Sequence, residues 1–214
     1  MDLNLKCTSV WAFLIALLLS GFVGRGATAQ KTVSVRGNVG ASFFRAPEVW
    51  SRTLHSGVSI GLEVGVPVYG GLSITAHGGY DQFPLNRENL RLTSQGIGGV
   101  PVSQGDVSFL SGALGLRYTY YNETDAHPYI STGVGFYRAK QSDRKAFEQG
   151  AFVGERPPES ATELGVHLAI GSLFRLDDTY AVFFEPRYIF YDVQTNPSGS
   201  LRYFTLRLGV DVQL

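Results

Sequence analysis

The chain has 214 residues, with 18 basic and 18 acidic side chains and an apolar content of 44%. Charged residues make up only 17% of the sequence, whereas Gly is frequent at 26 residues. This composition is too apolar for a disordered protein, and so few charges are unusual on the surface of a small water-soluble domain.

The first residues predict a secretory signal peptide. Lys6 precedes an uncharged apolar run over residues 10–20, and Ala27-Thr28-Ala29 has the small-x-small pattern of a cleavage site. The alternative is a single membrane-spanning anchor, although the uncharged stretch over residues 7–24 is barely long enough for one.

We expect cleavage after Ala29, which gives a signal peptide over residues 1–29 and one domain over residues 30–214. Cleavage removes Cys7, the only cysteine, so no disulfide is expected. It also removes two basic residues and one acidic residue, which leaves a net charge of −1. That balance argues against a nucleic-acid partner, which requires a basic face.

The remainder of the chain alternates between apolar and small or polar residues, which is the period of a β-strand. Eight segments show it, and they cover residues 33–43, 58–69, 71–81, 109–121, 129–137, 163–171, 180–191 and 201–214. All eight segments are longer than the five or so residues of an ordinary globular strand, and they have the length that a tilted membrane-spanning strand needs.

The connections between these strands alternate in length, long then short, so that one end of the molecule receives long loops and the other tight turns. A transmembrane β-barrel has this arrangement, with short turns in the periplasm and long loops outside. Aromatic residues lie near the strand ends and predict two belts at the lipid–water interfaces. The predicted belts are Tyr118, Tyr120, Phe174 and Tyr180 at the turn end, and Phe43, Tyr80, Phe136, Phe190 and Phe204 at the loop end.

The fold class predicted is therefore all-β, an eight-stranded antiparallel up-and-down transmembrane barrel. A water-soluble barrel or sandwich with its apolar side inward is the alternative, because periodicity alone does not separate the two. The two differ in which side chains face outward.

The end of the chain resembles the C-terminal assembly signal of bacterial outer-membrane proteins. The matching residues are Arg207, Gly209, Val212 and Leu214, although that family usually ends on an aromatic residue. The pattern of the whole domain is similar to the small eight-stranded barrels typified by the OmpX-like proteins and the OmpA membrane domain. This resemblance implies residence in the bacterial outer membrane, with outer-membrane lipid and the barrel-assembly machinery as partners.

Eight strands enclose a space just wide enough for side chains to fill. The predicted lumen residues are Arg36, Glu63, His77, Asp81, Arg117, Glu163, His167, Glu185, Arg187, Arg207 and Asp211. Their charges nearly balance, which favours a salt-bridged interior over a selective pore. We expect Arg36 at the depth of Asp211, Glu185 and Arg187 near Arg207, and Glu63 near His77.

No catalytic, cofactor or metal site is predicted. The four histidines lie on different strands or loops without a metal-ligand spacing. Barrel deacylases carry a His-x-Ser motif, which this sequence lacks, and no other nucleophile–base pair is apparent.

The long loops are the other candidate site, because loops on a rigid scaffold often carry function. Basic and aromatic residues in them suit an extracellular ligand or phosphate-bearing lipid headgroups. The candidates are Arg87, Arg91, Lys140, Arg144, Lys145, Phe147, Phe152 and Arg156. Two functions stay open: a non-enzymatic structural or surface-interaction barrel, and a narrow ion or small-solute channel through the charged lumen.

Overall fold

A computed structural model describes residues 33–46, 51–52, 54–84, 106–142, 144–148, 151–156, 159–191 and 200–214. The predicted signal peptide lies outside these residues. Ten strands are present in them: β1 (Ser34–Ala46), β2 (Gly57–Tyr69), β3 (Leu72–Pro84), β4 (Asp106–Thr119), β5 (Ala126–Gln141), β6 (Arg144–Glu148), β7 (Ala151–Arg156), β8 (Glu159–Arg175), β9 (Tyr180–Tyr191) and β10 (Leu201–Gln213). No helix within these residues is long and apolar enough to cross a membrane.

Eight of the strands form a closed antiparallel barrel in the order β1-β10-β9-β8-β5-β4-β3-β2. Each of the eight segments predicted from the alternation corresponds to one barrel strand, so the predicted fold is confirmed. Closure pairs β10 with β1, and Leu214 N–H donates to the Val33 carbonyl at 2.9 Å. The last strand therefore has no free edge.

The strands are staggered around the barrel. The line of paired residues that leaves β1 at Ser34 passes through Thr75, His167 and Tyr203 and returns to β1 at Phe44, ten positions further along. Such a stagger tilts the strands relative to the barrel axis, as closure requires. It also means that residues directly opposite on neighbouring strands lie at slightly different heights.

The apolar face of the strands points outward. Leucines from four strands are about half-exposed: Leu62 56%, Leu116 47%, Leu168 52% and Leu208 61%. Glu63 and Arg207, one residue before or after such leucines, are 4% and 1% exposed. An apolar surface that encircles a whole molecule is not sustained in water. This orientation rules out the soluble alternative and is that of a barrel in lipid.

The two ends of the barrel differ as expected. The end at which β2–β3, β4–β5 and β8–β9 are joined by short connections is called the turn end, and the opposite end the loop end. At the β2–β3 turn, Gly70 and Gly71 have φ values of +53° and +88°, which suit a two-residue hairpin turn. All nine residues of the two predicted aromatic belts are at least partly exposed on the barrel wall.

One element was not predicted. Residues of the third long loop form a separate two-stranded hairpin of β6 and β7, and β5 and β8 extend further toward it than the alternation indicated. Residues 140–160 contain only short alternating stretches, so the alternation predicts a loop there rather than strands.

Candidate functional site: an ionic core sealed at both ends

The predicted lumen residues come together inside the barrel. Ten of the eleven are buried, and Glu163 is half-buried. We call the following group the ionic core: Arg36, Glu63, His77, Arg117, His167, Glu185, Arg187, Arg207 and Asp211. Its nine side chains come from seven barrel strands, and the paired Arg36 and Asp211 are 175 positions apart in sequence.

One ion pair crosses the strands that close the barrel. Arg36 on β1 lies directly opposite Asp211 on β10, and its Nε donates to Asp211 Oδ2. The guanidinium carbon of Arg36 also lies 4.7 Å from the ring centroid of Tyr129 and 5.0 Å from that of Phe183. This arginine is therefore held by one carboxylate and two aromatic faces.

A second group of ion pairs crosses the lumen itself. Arg117 Nη1 donates to Glu63 Oε1 at 2.7 Å, and Arg187 Nη2 donates to Glu63 Oε2 at 3.1 Å. Arg187 Nε donates to Glu185 Oε1 at 2.8 Å. The result is a chain of alternating charges, Arg117–Glu63–Arg187–Glu185. Buried charges are tolerated only when paired in this way.

Hydroxyl groups and one histidine complete the network. The Tyr129 hydroxyl donates to Glu185 Oε2 at 3.1 Å, and Arg117 Nη2 donates to Ser34 Oγ at 2.9 Å. Arg207 lies opposite Glu185 in the strand register, and its Nη1 is 3.3 Å from His77 Nε2. Several buried polar atoms of the core, among them Arg36 Nη1, Arg187 Nη1 and Arg207 Nε, have no hydrogen-bond partner within the described residues.

The three placements predicted from strand direction agree with the register. Arg36 is opposite Asp211, Arg207 is opposite Glu185, and Glu63 is opposite His77. The ion partners of Glu63, however, are arginines from β4 and β9 rather than its neighbour His77.

A layer of aromatic side chains lies between the ionic core and the loop end. We call it the aromatic cap, formed by Phe44, Phe83, Phe109, Tyr137, Tyr191 and Tyr203. Tyr137 and Tyr191 stack with centroids 5.5 Å apart, and Leu54 from the first long loop packs into the same cluster. This layer was not predicted from the sequence, although all of its members except Tyr137 have the same strand parity as the predicted lumen residues on their strands.

The aromatic cap is joined to the charged interior by Asp81. Its Oδ1 accepts a hydrogen bond from Ser42 Oγ at 2.8 Å, and its Oδ2 accepts one from the Tyr203 hydroxyl at 3.0 Å. Asp81 is fully buried, yet within the described residues its hydrogen bonds come from hydroxyl groups rather than from an arginine. Tyr203 therefore serves both the cap and the polar interior.

The turn end of the lumen is filled by a second apolar group. This lower cluster consists of Tyr129, Leu173, Ala181 and Phe183. Because Arg36 lies over two of its rings, the lower cluster and the ionic core are in direct contact.

The two lumen histidines approach each other without forming a metal site. The ring centroids of His77 and His167 are 6.2 Å apart, and the Tyr137 hydroxyl is 3.3 Å from His167 Nδ1. Within the part of the chain that the structure describes, no group of three or more His, Cys, Asp or Glu side chains is arranged to hold a metal ion.

The candidate loop residues are placed in part. Lys140 is exposed near the end of β5. In the β6–β7 hairpin, Arg144 is paired in register with Arg156, Lys145 with Glu155, and Phe147 with Phe152. Arg87 and Arg91 lie outside the described residues. Two arginines and two phenylalanines therefore occupy facing positions of one hairpin.

The residues of the proposed assembly signal lie on both faces of β10. Arg207 belongs to the ionic core, and a Cβ added at Gly209 would come within 2.7 Å of the Phe183 ring. Val212 and Leu214 lie on the opposite face, where Leu214 is exposed.

Comparison with known proteins supports the same architecture. Neither a protein-family profile nor a curated protein sequence matches the chain. Among solved structures, Neisserial surface protein A aligns with 88% of this chain and 100% of its own, at 15% identity and a TM-score of 0.56. A major outer membrane protein from Thermus thermophilus covers 85% of this chain and 99% of its own, at 12% identity and a TM-score of 0.54.

The outer membrane protein OprG from Pseudomonas aeruginosa also aligns, over 87% of this chain and 97% of its own, at 12% identity and a TM-score of 0.50. The fold is that of the small outer-membrane β-barrels. The resemblance stated from the sequence is thus confirmed at the level of the fold, and with it the bacterial outer membrane as the compartment to which this architecture belongs.

Proposed function

We propose that this chain is a non-catalytic, non-conducting outer-membrane barrel that acts as a structural and surface-interaction protein through its loop end. The observation that carries the proposal is the ionic core, which lies between the aromatic cap and the lower cluster. The barrel is then a rigid support for its loops.

Charge balance within the lumen supports a closed interior. Four arginines, at positions 36, 117, 187 and 207, share the fully buried space with four carboxylates, at positions 63, 81, 185 and 211. An ion-selective pore tends to present rings of one sign. Here six of these eight charges form ion pairs with one another, Asp81 is held by hydroxyl groups and Arg207 contacts His77. Apolar rings cover both ends of the network.

The histidine contacts support a non-catalytic role. Within the described barrel, the side-chain hydrogen bonds of His77 and His167 go to Arg207 and Tyr137. Neither imidazole is paired with a serine or threonine hydroxyl, as an acyl-transfer mechanism requires.

The β6–β7 hairpin supports an interaction at the loop end. Arg144 and Arg156 occupy facing positions of the hairpin register, and two basic residues at facing positions suit an anionic partner. We expect an extracellular partner that carries phosphate, sulfate or carboxylate groups, and no nucleic acid. The assembly signal on β10 makes the barrel-assembly machinery a second expected partner.

Conductance of the purified protein in planar bilayers tests the closed lumen. We expect no steady single-channel openings. Openings in the wild type that Arg207→Ala abolishes would instead support the narrow ion path.

Binding of a sulfated polymer tests the hairpin. Cells that display the barrel should retain labelled dextran sulfate but not neutral dextran, and retention should fall when Arg144 and Arg156 are both replaced by Ser. Equal retention by the wild type and the double variant would remove the hairpin from the proposal.

A further inference from the structure

The outer wall carries an open groove along the strands that close the barrel. Two adjoining depressions of about 790 Å³ and about 620 Å³ share the walls Val39, Ile60, Tyr80 and Leu208. They lie mainly on the outer faces of β10, β1, β2 and β3, with Leu110 of β4 and Phe184 of β9 at their edges. We call them together the seam groove.

The groove exists because small residues replace large ones on the lipid-facing side. Gly37 and Gly78 line the first depression and Ala41 the second. A Cβ placed on Gly37 or Gly78 would have nothing within 4 Å, so these glycines are not required by close packing. Most side chains around them are aliphatic, as suits an acyl chain.

Two arginines lie above the groove at the loop end. Arg45 is exposed at the irregularity of β1, and Arg202 is exposed on β10 opposite Ala46. The guanidinium carbon of Arg202 lies 5.2 Å from the ring centroid of Phe190, which belongs to the aromatic belt at the loop end. Within the described residues, no carboxylate lies within ion-pair distance of either arginine.

A continuous path joins these cations to the groove. Below them, Phe43 is paired with Phe204, then Ala41 with Leu206, and then Val39 with Leu208. Going down the wall, the order is cations, aromatic belt, apolar groove. A lipid has the same order of chemistry: anionic headgroup, interfacial region, acyl chains.

We propose that the seam groove binds a phosphorylated glycolipid of the outer leaflet. Arg45 and Arg202 contact its phosphates, and an acyl chain lies along Gly37 and Ala41. Arginine binds phosphate through two parallel hydrogen bonds, and two arginines on neighbouring strands suit a headgroup with more than one phosphate. A second copy of the chain fits less well, because both copies would face the same way in the membrane and bring their arginines together at one height.

Native mass spectrometry of the folded full barrel in detergent tests the site. The probes are diphosphorylated lipid A, its monophosphorylated form, and phosphatidylglycerol with acyl chains of similar length. We expect the diphosphorylated lipid to bind most tightly. Arg45→Ala and Arg202→Ala should each weaken its binding about fivefold and reduce its advantage over the monophosphorylated form.

A large side chain that fills the groove should weaken the binding of all three lipids. Gly37→Leu is the direct variant, and Ala41→Leu replaces it if the first does not fold. Gly112→Leu is the matched control, because Gly112 also faces outward with nothing within 4 Å of an added Cβ but does not line the groove. Arg175→Ala at the turn end is the control for charge.

Three results would overturn the proposal. The first is phosphatidylglycerol binding as tightly as the diphosphorylated glycolipid. The second is unchanged lipid binding in both arginine variants or in both groove variants. The third is a dimer in the wild type that Gly37→Leu dissociates, which would assign the groove to a second copy. Gel mobility of unboiled and boiled samples verifies that each variant is folded.

Discussion

The inside and the outside of this barrel are made from the same strands, one residue apart, and they follow different rules. Inside, Glu63 contacts two arginines at once, so its identity, charge and position all matter. Outside, its neighbour Leu62 needs only to be apolar and of moderate size. The comparison teaches that tolerance to substitution should alternate along each strand with a period of two.

The largest effect should come from the centre of the ionic core. Glu63→Gln leaves Arg117 and Arg187 facing an uncharged amide, and an uncompensated buried charge costs about 3–5 kcal/mol. Leu62→Ala on the outer face should cost far less, because lipid fills the space. The loss of stability in both variants is measured as the denaturant midpoint of unfolding, which is monitored by the gel mobility of the folded band. Similar losses for the two variants would contradict the contrast between inside and outside.

A charge-balanced double variant sharpens the same test. Combining Glu63→Gln with Arg117→Gln removes one charge of each sign, so the pair should recover part of the stability that the single change loses. Arg117 is the suitable partner, because Arg187 also pairs with Glu185. Strictly additive losses would show that charge balance is not what the network provides.

Substitution of glycines on the inner and outer faces should change stability by amounts that differ nearly as much as those of Glu63→Gln and Leu62→Ala. A Cβ on inward Gly135 would lie 2.2 Å from the Gly112 carbonyl oxygen and 2.5 Å from Ala113 Cα. We expect Gly135→Leu to destabilise the barrel by about 3 kcal/mol or to prevent folding, since the strained neighbours are backbone atoms. Gly112→Leu projects into lipid and should fold. A heat-modifiable band for both variants at equal yield would refute this expectation.

Much of the fold follows from the sequence, because alternation fixes both the strands and the face that each residue occupies. It also predicted neighbours across adjacent strands, such as Arg36 and Asp211, since an antiparallel register relates them directly. It did not predict that Glu63 pairs with Arg117 and Arg187. Those partners reach it across the lumen, and their meeting depends on side-chain length and on the stagger of the closed barrel.

The aromatic cap was missed for a related reason. Phe109 and Tyr203 have inward parity, but an aromatic residue near a strand end is also what an interfacial belt predicts. Parity separates the two groups only once strand limits are known. The β6–β7 hairpin was missed because its strands are short and lack the long alternation that identified the others.

A smaller effect is expected where the cap meets the polar interior. Tyr203→Phe keeps the ring in the cap but removes the hydroxyl that donates to Asp81 Oδ2 at 3.0 Å. A buried carboxylate that loses one of its donors should cost about 1–2 kcal/mol. Tyr80→Phe is the control, because Tyr80 lies on the outer face in the aromatic belt at the loop end and is 40% exposed. The denaturant midpoint should fall in Tyr203→Phe and stay unchanged in Tyr80→Phe.

The smallest effect on stability is expected in the turn between β8 and β9, which faces water and belongs neither to the lumen nor to the lipid-facing wall. The backbone N–H groups of Thr179 and Tyr180 both donate to Asp177 Oδ1 at 2.7 Å, and they hold the pKa of this carboxyl below its usual value. Because the folded pKa is lowered, the turn gains stability above the ordinary pKa of aspartate and loses it as the pH falls through the folded value. Carboxyl NMR of the barrel in micelles should show the pKa of Asp177 below the ordinary value of an aspartate side chain. In Asp177→Asn the acid-dependent part of the loss should disappear, since the amide keeps an acceptor that does not titrate. An ordinary aspartate pKa for Asp177 would mean that the turn is not held by these hydrogen bonds.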